Sequence, residues 1–387
     1  MTEKENPAEN QEQQNQSTQP LRMPVGLSKL NRWSKGKGSA RDRIALGVTV
    51  PEWNPSFQIA PDATVFAIGS CFARNVEKEL LHLGVQATSV DPSSDVLELK
   101  TNLQVGLLNK YNPLSIHQEL EWAAGVSTFP ENGLLQLGDD GEKFVDPYLR
   151  DQARQGTMEL LQTRRELLKE YFSRAFQADL VILTLGLTET WFDRLTQRAL
   201  VEMPSPRLMK QYPDRFSFKI LSCAECLAVL QSTCTLLKKY GKPDLKILVT
   251  VSPVALERTF SGQDVIVANM MSKSTLRSAA GTLVTSVEGV DYFPSYEAAM
   301  VSDPALVWQP DRRNVTDFIV AQIMGEFTRR YGLKPPLQID DLRMEYQKIT
   351  QTRLNLAQRR VPQLEQALNQ MQQATVPTSA PNLESVQ

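Results

Sequence analysis

Three short stretches carry residue types that could do chemistry. The first is Gly69-Ser70-Cys71-Phe72-Ala73, which follows the apolar run 65–68. A serine or cysteine there would sit where a strand turns into a helix. The free N–H groups and dipole of the helix start favour negative charge, which suits a nucleophile that must ionise or bear an oxyanion. The same five residues also read as a glycine turn with a serine cap and a buried cysteine. The second stretch, Thr184 to Trp191, is a polar cluster after an apolar run. The third, Val251-Ser252-Pro253-Val254, puts small polar residues after another such run. Only two histidines, His82 and His117, occur in 387 residues. Any histidine-dependent mechanism must use one of these two, and a His-rich metal site is excluded.

These stretches need elements to position them. The expected strands are 65–70, 85–90, 180–186, 245–253 and 290–293. Between them the spacing of apolar residues predicts helices over 72–83, 158–176, 221–240, 266–281 and 314–331. Buried-type strands alternating with helices predict an α/β fold with a mostly parallel sheet covered on both faces. In such sheets ligands bind beyond the carboxyl ends of the strands, where all three stretches fall.

Composition sets further bounds. Apolar residues make up 41%, and 42 Lys+Arg balance 44 Asp+Glu, so a core is affordable and a globally basic nucleic-acid binder is excluded. Residues 1–44 are polar and then basic. Lys29, Arg32, Lys35, Lys37, Arg41 and Arg43 surround Trp33, which reads as a disordered arm and as a contact for an anionic partner. Residues 45–336 form the α/β domain. Residues 337–387 carry a helical Gln-rich seam (Leu342, Tyr346, Ile349, Leu356, Leu364, Leu368, Met371) interrupted by Pro362, which could pair chains into an oligomer, and end in a loose tail. No apolar leader or membrane-spanning run is present, so a cytoplasmic chain with reduced thiols is expected. Cys223, Cys226 and Cys234 fall on one apolar helix and read as core rather than as half a zinc site. No dinucleotide or phosphate-loop fingerprint occurs, and no cofactor or metal is expected.

Beyond these five letters the chain resembles the GSCFA family, within the SGNH (GDSL-like) hydrolase superfamily. The resemblance rests on Gly69-Ser70-Cys71-Phe72-Ala73, on Asn102 and Gly106 with Tyr111-Asn112-Pro113-Leu114-Ser115-Ile116, and on Gly186-Leu187-Thr188-Glu189. It extends through Ser252-Pro253-Val254, Asn269 with Ser272-Lys273 and Leu276-Arg277, and Asp291 to Glu297. It implies a three-layer, flavodoxin-like α/β/α sandwich and an ester hydrolase or acyltransferase, acting on an acylated glycan or lipid. It implies Cys71 at the superfamily's serine position, with Ser70 as the competing nucleophile. Oxyanion donors are implied near Asn102, Gly106 and the Gly186–Thr188 turn, and Tyr292, Tyr296 and Glu297 along the pocket.

One departure stands out. The superfamily's closing D-x-x-H block reads Asp311-Arg312-Arg313-Asn314 here, and an amide cannot take a proton near neutral pH. His82 lies eleven residues after Cys71, roughly 16 Å along a helix axis, out of reach. His117 follows the segment expected to border the site. A thiolate at Cys71 held by the helix start with Lys273 or Arg277 is a third route. A catalytically impaired domain that binds a ligand or protein is the alternative to an enzyme.

Overall fold

The computed structural model describes residues 30, 32–34, 36–90, 108–138, 141–150 and 155–333, and the single positions 351, 358, 362 and 366. Asn102, Gly106 and most of the C-terminal seam lie outside the described residues. Of residues 337–387, Gln351, Gln358, Pro362 and Gln366 are described, and they are helical.

The chain separates into two units, Met1–Leu46 and Gly47–Gln387. In the first, Ala40–Ile44 forms a short helix and Trp33 is 72% exposed.

The second unit is built on five parallel strands: β1 (Thr64–Gly69), β2 (Gln86–Ala87), β3 (Leu180–Leu185), β4 (Lys246–Val251) and β5 (Val290–Tyr292). Their spatial order is β2-β1-β3-β4-β5, a flavodoxin-like winding. The principal helices are α1 (Cys71–His82), α2 (Pro113–Ala123), α3 (Met158–Ser173), α4 (Cys223–Tyr240), α5 (Val265–Ser286) and α6 (Asp317–Arg330). Each is started by a side-chain cap, from Ser70, Asn112, Thr157, Ser222, Asp264 and Thr316 respectively, which satisfies an otherwise orphaned amide.

Strand alternation divides the core. Phe66, Ile68, Val181 and Leu183 face a layer formed by α2, α3, α4 and α5. Val65, Ala67, Leu180 and Ile182 face α1 and α6. The sheet is therefore covered on both sides, and the protein is a three-layer α/β/α sandwich. Cys226 and Cys234 are part of the first layer's core, and all four cysteines are free. Among the described residues no helix is long and apolar enough to cross a membrane.

Three features differ from expectation, the first being α2, which lies in a stretch where no helix was expected. The expected strand 85–90 pairs only at Gln86 and Ala87. Two small antiparallel sheets also occur, one joining Glu189–Asp193 to Arg198–Ala199 and Phe216–Ile220, the other joining Leu135–Gln136, Phe144–Val145 and Gln155–Gly156. Their strands are two to five residues long, too short for a period-2 pattern to stand out.

Register decides where the site lies. Thr184 on β3 is level with Gly69 on β1 and with Thr250 on β4, so three strands end together. The order reverses between β1 and β3, which makes that edge the switch point where such sheets open a crevice.

Candidate active site

Gly69 ends β1 at φ +137°, where a Cβ would fall 2.1 Å from the Thr184 carbonyl oxygen. Glycine is what lets β1 and β3 close at this point. The Ser70 amide then donates to that carbonyl at 2.9 Å. The Ser70 hydroxyl is buried, lies 3.3 Å from the Thr184 hydroxyl, and accepts the Phe72 amide at 3.3 Å as the N-cap of α1. Cys71 is the first residue of α1 and is only partly covered. No acidic residue occupies the first turn of α1, so its positive end is not neutralised. Burial pushes the Cys71 thiol above its ordinary pKa, while Arg313, Lys273 and Arg150 pull it down in part.

Ser70 and Cys71 open onto a cavity of about 610 Å3. Leu187, Trp191, Val201, Met203, Leu256 and Phe260 supply apolar lining. Arg150 and Arg313 bring charge, paired with Glu202 at 3.6 Å and Glu257 at 3.0 Å. The size and lining suit a small organic ligand with an apolar group.

The turn after β3 forms the floor. A Cβ at Gly186 would meet the Tyr111 carbonyl oxygen at 2.6 Å and the Ser70 Cβ at 3.2 Å, so the absence of a side chain brings these segments together. The Gly186 and Leu187 amides both donate to that carbonyl, at 3.1 and 2.9 Å. The Thr188 amide and hydroxyl donate to the Ser272 hydroxyl at 2.8 and 3.2 Å. This turn's amides are thus engaged in holding the floor.

The GSCFA family model matches residues 64–327. The chain belongs to the GSCFA family. No curated protein matches the chain.

The remaining residues suggested by the GSCFA resemblance fall in three places. Ser252 and Glu189 line the cavity. The Ser252 hydroxyl accepts the Val254 amide at 3.3 Å, and the Glu189 carboxylate accepts the Thr259 hydroxyl and, at 3.0 Å, the Phe260 amide. Asn269 takes the Leu256 amide at 3.1 Å. Together they hold the segment 252–260 that walls the cavity. Lys273, fully buried on α5, donates to the Gly186 and Val254 carbonyls at 2.7 and 2.8 Å, directly behind that wall.

Tyr292, Tyr296 and Glu297 are elsewhere. Glu297 binds the Tyr292 hydroxyl at 2.8 Å and the Arg277 guanidinium at 2.5 Å, and Tyr296 reaches the Met270 sulfur at 3.9 Å. None of the three lines the cavity.

The GSCFA block that ends in Asn314 is a tight turn closed by a bridge between Trp308 and Val315. Asp311 accepts the Arg313 and Asn314 amides at 3.0 Å each and the Asn314 side-chain amide at 2.6 Å, which holds its carboxyl below the usual range. Asp311 and Asn314 serve each other, and Arg313 between them is the residue that enters the cavity. His117 is committed to Thr233 at 3.1 Å and Glu121 at 3.6 Å between α2 and α4, and burial lowers its pKa. His82 is exposed near the end of α1 beside Glu79. Neither histidine lines the cavity.

Tyr111 belongs to the segment expected to border the site and does line the cavity, whereas sequence reasoning did not single out Arg150 or Arg313 as cavity residues. Arg313 sat inside a motif already under scrutiny, between the two residues that drew attention. Arg150 had no local signal, because it reaches the site from a loop outside every motif.

Proposed function

We propose that this GSCFA protein is an acyl-transferring enzyme, an ester hydrolase or acyltransferase, with Cys71 as nucleophile. The observation that carries this reading is the division of labour at the β1–α1 turn. Ser70 is buried and spent on capping and on Thr184, whereas Cys71 stands partly open at an un-neutralised helix start on a mostly apolar cavity. A thiol in that position attacks an ester carbonyl whose acyl group lies along Trp191, Leu256 and Phe260. Arg150 and Arg313 suit a polar or anionic group on the alcohol side, as an acylated glycan or lipid would present. A cytoplasmic setting, where thiols stay reduced, suits four free cysteines. The basic arm around Trp33 is proposed to contact an anionic partner, and the C-terminal seam to pair chains.

Turnover of 4-nitrophenyl acetate by wild type, Cys71→Ala and Ser70→Ala tests this. Cys71→Ala is expected to lower kcat/KM by roughly 100-fold or more. Ser70→Ala is expected to lose about 1 kcal/mol of stability as a lost cap and to keep most of its activity. Undiminished turnover by Cys71→Ala contradicts the assignment.

A second reading has its own observation: Asp311 and Asn314 bind each other, and neither histidine reaches the cavity. On that reading the domain binds its ligand without turning it over. Wild type would then be inactive on esters, and Asn314→His would produce a large gain.

A further inference from the structure

We propose that Lys273 is the general base for Cys71, in the role a histidine would otherwise fill. This rests on the reading of Cys71 as nucleophile.

The argument begins with hydrogen counting. The Lys273 amine is fully buried and meets two acceptors, the carbonyls of Gly186 and Val254 at 2.7 and 2.8 Å. No carboxylate pairs with it among the described residues. An ammonium has three hydrogens and would leave one unmet in a buried site, at a cost. A neutral amine has two hydrogens for two carbonyls and keeps its lone pair. The surroundings therefore match the form that accepts a proton.

Placement comes next. Both carbonyls belong to residues that wall the cavity Cys71 opens onto. The titratable and charged groups acting on Lys273 are Cys71 at the start of α1 and Arg313 before α6, and Arg150 acts on Cys71 but not on Lys273. Burial brings the Lys273 pKa down to about 7, with Cys71 opposing the shift and Arg313 adding to it. A base of that strength is half unprotonated near neutral pH, where general-base catalysis works best.

The step balances. The Cys71 S–H proton passes to the Lys273 lone pair while the sulfur electron pair forms a bond to the ester carbonyl carbon. The carbonyl π pair moves to oxygen. On collapse the C–O bond to the alcohol breaks and the Lys273 ammonium returns a proton to the departing alkoxide. Water or an acceptor hydroxyl then attacks the thioester, giving its proton to Lys273 and releasing Cys71 as thiolate, which takes that proton back.

The experiment is the pH dependence of Cys71 alkylation by iodoacetamide, followed on the Cys71 peptide by mass spectrometry. In wild type the rate is expected to show a shoulder that rises through pH 7, as the neutral Lys273 amine becomes available to take the thiol proton while the sulfur attacks. In Lys273→Met that shoulder should vanish, leaving only the rise at or above 9 that belongs to a buried thiol by itself. A wild-type profile without the shoulder, or the same profile in both proteins, overturns the proposal. Turnover of 4-nitrophenyl acetate at pH 7 supplies the second readout. Lys273→Arg keeps donors and charge but takes no proton there, so kcat/KM should fall roughly 100-fold. Full rescue by arginine would mean that Lys273 only tethers the two walls. If Cys71→Ala leaves turnover intact, the nucleophile reading fails by itself, and the alkylation profiles still decide whether Lys273 and Cys71 exchange a proton.

Discussion

At Gly69 one hydrogen in place of a methyl group decides whether the site can form. Alanine there would need φ +137° and would place its Cβ 2.1 Å from the Thr184 backbone oxygen, which is fixed in β3 and cannot swing away. Gly69→Ala should therefore cost about 3 kcal/mol or more, combining backbone strain with overpacking. Urea unfolding measures it, and a loss below about 1 kcal/mol would show that β1 and β3 need not meet so closely. This residue was legible in the sequence, since a glycine ending an apolar run ahead of a helical pattern has few other uses. Ser70 as a helix cap was one of the readings the sequence allowed, but its contact with Thr184 was not legible, because Thr184 is distant in sequence and becomes a neighbour only through the pairing of β1 with β3.

At the scale of elements, three strand-end segments make the site, and they are held by residues from elsewhere in the fold. Ser272 on α5 secures Thr188 after β3, and Glu189 secures Thr259 and Phe260 beyond β4. Glu189→Gln keeps the shape but replaces one accepting oxygen with a donor, so the Phe260 amide or the Thr259 hydroxyl loses its partner. The wall that carries Phe260 should loosen. KM for an ester substrate is expected to rise several-fold with kcat within about twofold, as for lost uniform binding. Steady-state kinetics at fixed pH checks this, and a fall in kcat with unchanged KM would assign Glu189 to the chemistry instead. The main strands and helices matched their periodic patterns to within a few residues at most ends. The short antiparallel pieces around 189–220 did not announce themselves, because their stability comes from pairing with partners as distant as Ile220 is from Glu189.

Across the whole molecule, a five-stranded parallel sheet wound in the order β2-β1-β3-β4-β5 leaves a crevice between β1 and β3, and Cys71 lies in it. The alternation of strand and helix was enough to read the fold class and the end of the sheet where chemistry would collect. What sequence could not yield is which charges meet there. Arg150 reaches the cavity from a loop, Arg313 enters from a turn that once drew attention only for its missing histidine, and the Lys273 amine finds carbonyls 87 and 19 residues away. The two histidines bear on none of this, since one is tied up between α2 and α4 and the other is exposed on α1. The central claim is that Cys71 carries the acyl group between donor and acceptor. Its most direct test is to mix the protein with 4-nitrophenyl acetate, quench in acid, and map the modified peptide by mass spectrometry. One acetyl group on Cys71, formed and lost at rates that match turnover, is the predicted result. Turnover with the acetyl on Ser70, or with no covalent adduct at any residue of the β1–α1 turn, would contradict it.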